Sequence, residues 1–173
     1  MISHQKYPES NKFLAKEMGA SCVDMEGVYN NSNFEVEDKR IFKNTSTISL
    51  ASHLIPAVAP NQKVDKVKIN QHDPNVLEIL ALEGEDVVAS QKYDLEKKDY
   101  QCKDGRIIFK YHYPDMAGIM GQPLHNSNHL ELSRTIHSDL ALRESTVFYN
   151  ILVIPPLPLF LNGSELYFFR KIE

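Results

Sequence analysis

The chain has 173 residues, enough for one self-sufficient core and short for two. Its 42% hydrophobic and 24% charged residues are ordinary for a globular protein, and a net charge of -4 with scattered basic residues gives no electrostatic reason to expect a nucleic-acid partner. No stretch approaches the ~20 apolar residues of a membrane-spanning helix, so an integral helical protein is not expected.

The first residues, "MISHQKYPESNKFLAKEMG", lack the uninterrupted apolar run of a signal peptide. Residues 1–21 read as a leader packed on the domain. Within it, Ser10 or Asn11 can cap a short amphipathic helix over Ser10–Met18 that buries Phe13, Leu14 and Met18 and ends at Gly19. An opening strand follows at Gly27–Asn30. In "NTSTISLASHLIP", Ile48, Ala51, Leu54 and Ile55 recur at helical spacing and Pro56 stops the run, which predicts a second short helix with a strand as its competitor.

From Val64 the period changes to two. "VDKVKIN" alternates Val67 and Ile69 with lysines, as a strand with one wet face requires. Three hairpins are then predicted, turning at Glu83-Gly84-Glu85-Asp86, at Lys103-Asp104-Gly105 and at His137-Ser138-Asp139. The last strand, "SELYFFRKI", is entered through Asn162-Gly163. Short turns leave no room for helical crossovers, so the sheet is antiparallel. The expected fold is a single mainly β domain over residues 1–173. It is an up-and-down meander of about eight strands forming a barrel or strongly curved sheet, lipocalin-like in shape, with one or two short helices near the N-terminus. A two-sheet sandwich is the alternative; a typical lipocalin is disfavoured by the absence of tryptophan.

Two cysteines with no CxxC do not suit a metal site, and no local motif marks either as a nucleophile. Met18-Gly19-Ala20-Ser21 follows charged residues rather than an apolar leader, which argues against lipidation at Cys22. What remains is a Cys22 to Cys102 disulfide or two inert buried thiols. The disulfide is the expectation, because both cysteines lie at element ends where a staple ties distant segments together.

"CVDMEGVYNN", "SLASHLI", a V-x-I strand, "YQCKDGRIIF" and the aromatic "LYFFRKI" after a proline-rich apolar stretch resemble the mature region of uncharacterised bacterial lipoproteins and periplasmic proteins. The resemblance covers most of the chain. It implies a periplasmic or outer-membrane-associated address, through a lipid-bearing cysteine upstream of this sequence, with a cytoplasmic address as the alternative. No activity and no catalytic residue come with it.

Four-residue spacing of His125 and His129 would align two imidazoles only on a helix, whereas Pro123 and the intervening Asn-Ser-Asn argue for a loop. Together with His112 and His137 they read as solvent-facing histidines at strand ends, and no metal or cofactor is expected. Glu83, Glu85 and Asp86 fall in a turn and read as solvated charges. There is no Gly-x-Ser-x-Gly elbow, Walker loop or Gly-x-Gly-x-x-Gly loop, and a hydrolase would need a site built from residues distant in sequence.

Two apolar segments stand out. Ile151 to Leu161 carries no charged side chain and is rich in proline, so regular structure should stop near Ile154 and leave Leu157, Leu159 and Phe160 either plugging one end of the sheet or exposed for docking. "GIMGQPLHN" reads as a long hairpin loop whose Met116, Ile119, Met120 and Leu124 either pin it to the core or line a binding mouth. The expected function is non-enzymatic. It is an envelope-associated lipoprotein-like domain that binds a protein partner, a membrane surface or an apolar small ligand, with a purely structural or assembly role as the alternative.

Overall fold

A computed structural model describes residues 22–33, 35–38, 47–59, 61–110, 116–117, 123–135, 137–153 and 156–172. The strands are β1 (Gly27–Asn30), β2 (Glu35–Asp38), β3 (Lys66–Asp73), β4 (Val76–Glu83), β5 (Asp86–Asp94), β6 (Tyr100–Lys103), β7 (Arg106–Lys110), β8 (Met116–Ala117), β9 (Pro123–Arg134), β10 (Leu140–Val153) and β11 (Pro156–Phe169). The helix expected over Ser10–Met18 lies outside the described residues. The segment around Ile48–Ile55 forms one short helix, α1 (Leu50–Leu54), so helix is a minor part of the fold.

The chain is mainly β and antiparallel, in two sheets. One has four strands in the order β1-β3-β4-β5, and the other has seven, β2-β11-β10-β9-β7-β6 with β8 beside β9. Turn chemistry sets the hairpins. Asp104 and Gly105 both take positive φ, +52° and +70°, as a two-residue hairpin turn matched to strand twist requires. Between β9 and β10, the Thr135 Oγ1 accepts from the amides of His137 and Asp139 while Ser138 takes φ +66°.

Period-two patterning decides which face each strand buries. Val67 and Ile69 of β3 and Leu77, Ile79 and Ala81 of β4 are fully buried, whereas Lys68 is exposed. In the other sheet, the ladder Cys102, Ile107, Leu132, Leu142, Tyr167 forms one row across β6, β7, β9, β10 and β11, and its last four members are buried. Residues paired across an antiparallel ladder share a face, and this row faces the first sheet. Tyr93 of β5 meets Phe109 of β7 edge-on across the interior, with ring centroids 4.8 Å apart. One core cluster therefore draws on both sheets and on α1.

The barrel expected from the sequence is not found; the layers are those of the alternative, a sandwich. On one side the sheets join: Arg170 to Ile172, just after β11, pair with β1 through a Tyr29–Lys171 bridge, and the Ile172 amide donates to the Val28 carbonyl at 2.8 Å. On the other side, β5 and β6 share no ladder among the described residues. The reason lies in the link Leu95–Asp99, where Lys98 takes φ +64° and the chain turns across the core instead of adding the next strand to the same sheet.

A second correction concerns the end of the chain. Strand β11 does not begin at Ser164. It starts at Pro156 and pairs with β10 over fourteen residues without a register shift, so Asn162 and Gly163 lie inside the strand opposite Val147 and Thr146. Proline is tolerated in a strand where its missing N–H faces no partner. Strand β2 covers β11 only at Glu165–Phe168, which leaves Pro156 and Pro158 on a sheet edge among the described residues. Likewise Leu124, His125 and His129 lie in β9 rather than in a loop.

The helix is held by a buried asparagine. Asn31 accepts from the Ala51 amide at 2.8 Å and from the Ser49 hydroxyl at 3.1 Å, and its amide group donates to the Val64 carbonyl at 3.0 Å. Ser49 caps the first turn, and the Tyr93 hydroxyl donates to the Leu54 carbonyl at the other end. The helix is thereby fixed beside β3 and β4, with His53 reaching toward Glu144 of β10.

Candidate binding surface

Strands β8 to β11 bring the two apolar segments of the sequence to one end of the seven-stranded sheet. Met116 pairs with Leu124 across β8 and β9. One residue further along β9, His125 pairs with Tyr149 of β10, which pairs with Phe160 of β11. Leu159 sits opposite Asn150, and Leu157 opposite Leu152. Five of the seven contact candidates, Met116, Leu124, Leu157, Leu159 and Phe160, thus occupy neighbouring register positions although some 40 residues separate the two segments by sequence. Ile119 and Met120 lie outside the described residues.

Among the described residues the outer strands stop short of this end: β7 pairs with β9 as far as His129, and β2 pairs with β11 as far as Glu165. Strand β10 stays paired with β9 through Tyr149–His125, and beyond that Asn150–Val153 and Pro156–Leu159 run on as a pair. That is roughly 14 Å of strand at ~3.4 Å per residue. No Asp, Glu, Lys, Arg or His occurs between Ser145 and Ser164.

Charge is concentrated where this uncharged stretch begins. Glu144 of β10 lies directly opposite Glu165 of β11, which lies opposite Asp38 of β2. Like charges opposed across a ladder repel, and neighbouring groups answer them. The His53 Nε2 on α1 stands 3.6 Å from a Glu144 oxygen, while its Nδ1 is 2.8 Å from the Ser49 carbonyl and therefore carries a proton. The Tyr167 hydroxyl donates to Glu165, and its ring centroid is 6.5 Å from that of His53. Burial pushes the His53 pKa down, but its contact with Glu144, the Ser49 carbonyl and the Glu144 charge together outweigh it, and the net shift is upward.

This row was missed by sequence reading, and a signal existed. Leu140, Leu142 and Glu144 share one parity of β10, as Phe169, Tyr167 and Glu165 do in β11. A carboxylate at a core-facing position demands a partner, and His53 is the basic group that meets it.

The expected disulfide is present. Cys22 and Cys102 are bonded across 80 residues with Cα atoms 5.0 Å apart, joining the segment before β1 to the edge strand β6. His125 and His129 share a face of a strand, His112 lies outside the described residues, and exposed His137 sits in the β9–β10 turn. Among the described residues no group of three or more metal-binding side chains comes together. No helix there is long and apolar enough to cross a membrane.

The chain matches no known protein family, no curated protein and no solved structure.

Proposed function

We propose that the protein is a non-catalytic binding module of the cell envelope whose working surface is the far end of strands β8 to β11. The observation that carries this reading is the register: two apolar segments distant in sequence are neighbours at one sheet end. Where such segments stay exposed, contiguous apolar surface is a usual mark of an interaction site. The Cys22–Cys102 bond supports an oxidising compartment, since such bonds are rare where thiols are kept reduced. A lipid anchor upstream of this sequence, as the lipoprotein resemblance implies, would hold the module at a membrane.

The double substitution Leu159→Ser/Phe160→Ser tests the surface. The folded wild type binds an apolar dye such as anilinonaphthalene sulfonate, and the variant loses that binding while its melting transition persists. A variant that fails to fold places the segment in the core and refutes the reading.

A further inference from the structure

We infer that the Cys22–Cys102 bond works as a redox clasp: intact, it holds the segment Cys22–Glu26 as a strap across the edge of the core, and reduced, it lets that strap lift while both sheets stay folded. The inference does not depend on the working surface proposed above.

The strap leaves β1 at Gly27 and touches elements of both sheets. Its Met25 amide donates to the Gln71 side chain of β3 at 3.0 Å, its Asp24 carbonyl accepts from Arg134 of β9 at 3.1 Å, and its Glu26 carbonyl accepts from the Lys171 ammonium at 3.0 Å. The Tyr29 hydroxyl donates to the Met25 carbonyl at 2.9 Å. Val23 and Met25 are buried in the core cluster, and Cys22 ends the strap on β6, the edge strand of the second sheet.

What sets this segment apart is the kind of bond that holds it. The ladder with β3 begins at Gly27, and among the described residues Cys22–Glu26 makes no backbone-to-backbone hydrogen bond. Ladder bonds open as a cooperative unit, whereas side-chain contacts such as those of the strap open locally. Burying two apolar side chains is similar in size to the conformational entropy of ordering five residues, so the crosslink decides the balance. Lifting stops at Gly27, because β1 is paired with β3 and bridged to Lys171.

Both cysteines are only partly buried, which leaves the bond within reach of a dithiol reductant. A reductant thiolate attacks one sulfur to form a mixed disulfide, and the reductant's second thiol resolves it. Two electrons and two protons pass to the pair, so Cys22 and Cys102 become thiols and the dithiol becomes a disulfide. The freed Cys22 stays tethered five residues from Gly27, and oxidation closes the strap again.

Amide hydrogen exchange read by NMR on oxidised and dithiothreitol-reduced wild type tests the clasp, with alkylation of a parallel sample counting the thiols formed under the same native conditions. Reduction should speed exchange of the Met25 amide about tenfold or more, while the amides of Ile79 and Leu132, one in each sheet, keep their protection. Reoxidation should restore the slow rate. In Cys22→Ser/Cys102→Ser the Met25 sulfur should be open to oxidation by hydrogen peroxide, and in oxidised wild type it should be shielded. An unchanged Met25 rate in protein whose thiols do alkylate overturns the inference, because the strap then stays down unaided. Protection lost through both sheets together overturns it too, since the bond would then support the whole fold. Failure of the thiols to form under native conditions overturns it by placing the bond beyond a reductant's reach.

Discussion

Breaking the Cys22–Cys102 bond removes a constraint on a loop of 80 residues. In the chain-entropy treatment, closing a loop of that length is worth roughly 4.5 kcal/mol at 25 °C, near the upper end of the 2–5 kcal/mol that native disulfides contribute. At ~2.1 cal/mol/K per residue, unfolding 173 residues carries an entropy of about 360 cal/mol/K, so the loss lowers the melting temperature by roughly 6 to 12 °C. Scanning calorimetry of Cys22→Ala/Cys102→Ala beside oxidised and dithiothreitol-treated wild type measures it, and the last two separate chemistry from side-chain loss. The reduced wild type and the variant should melt together. The urea m-value of both should rise, because the uncrosslinked unfolded chain exposes more surface. A shift under about 3 °C with an unchanged m-value would refute the reasoning, for it would mean that the two sheets hold Cys22 and Cys102 together without help.

Three further outcomes follow from named contacts. Asn31→Ala strands the Ala51 amide and the Val64 carbonyl, and at ~1–3 kcal/mol for each buried orphan the urea midpoint should report a loss of about 2–4 kcal/mol; an effect below about 1 kcal/mol would show that α1 is held elsewhere. Tyr100 is buried at the edge of the second sheet and its hydroxyl has no hydrogen-bond partner among the described residues, so Tyr100→Phe should stabilise by about 1 kcal/mol, and destabilisation would point to a bonded hydroxyl. The His53 pKa is raised in the folded state, so its contribution to stability is full below the unfolded value near 6.5 and is lost as pH rises through the folded value. Proton NMR of the imidazole should give a midpoint above 6.5, and His53→Gln should flatten the decline in melting temperature across that window. Equal slopes in the two proteins would sink the assignment.

Much of the architecture was legible because the deciding signals are local. The period-two alternation of β3 needs only its own residues, and Asp104-Gly105 announces a hairpin because a tight turn there requires positive φ. Chain closure was not legible. Sandwich and barrel differ at one link, Leu95–Asp99, where a lysine rather than a glycine takes the left-handed conformation and gives no compositional cue. The start of β11 was misread because the rule against proline in sheets was applied as if the strand were central. The rule relaxes at an edge, and only the pairing of β2 with Glu165–Phe168 reveals that β11 has one. Among contact candidates, the sequence marked both apolar segments but could not show that β9 and β10 make them neighbours, since register over 40 residues is a property of the whole sheet. The His53–Glu144–Glu165 row escaped for the same reason, although its carboxylates on the inward parity of two strands were visible as an inconsistency.

The bridge between Tyr29 and Lys171 has a consequence for how the molecule is made. Glu26 and Lys171, joined at the same seam, are 145 residues apart. Ribosomes add roughly 5–20 residues per second, so β1 emerges and then spends about 7 to 30 seconds before its outer neighbour exists. For that interval a bare strand edge is available to any extended segment nearby. The seam closes only once residues near Lys171 have been made, and a chain cut short before them keeps that edge of β1 unpaired.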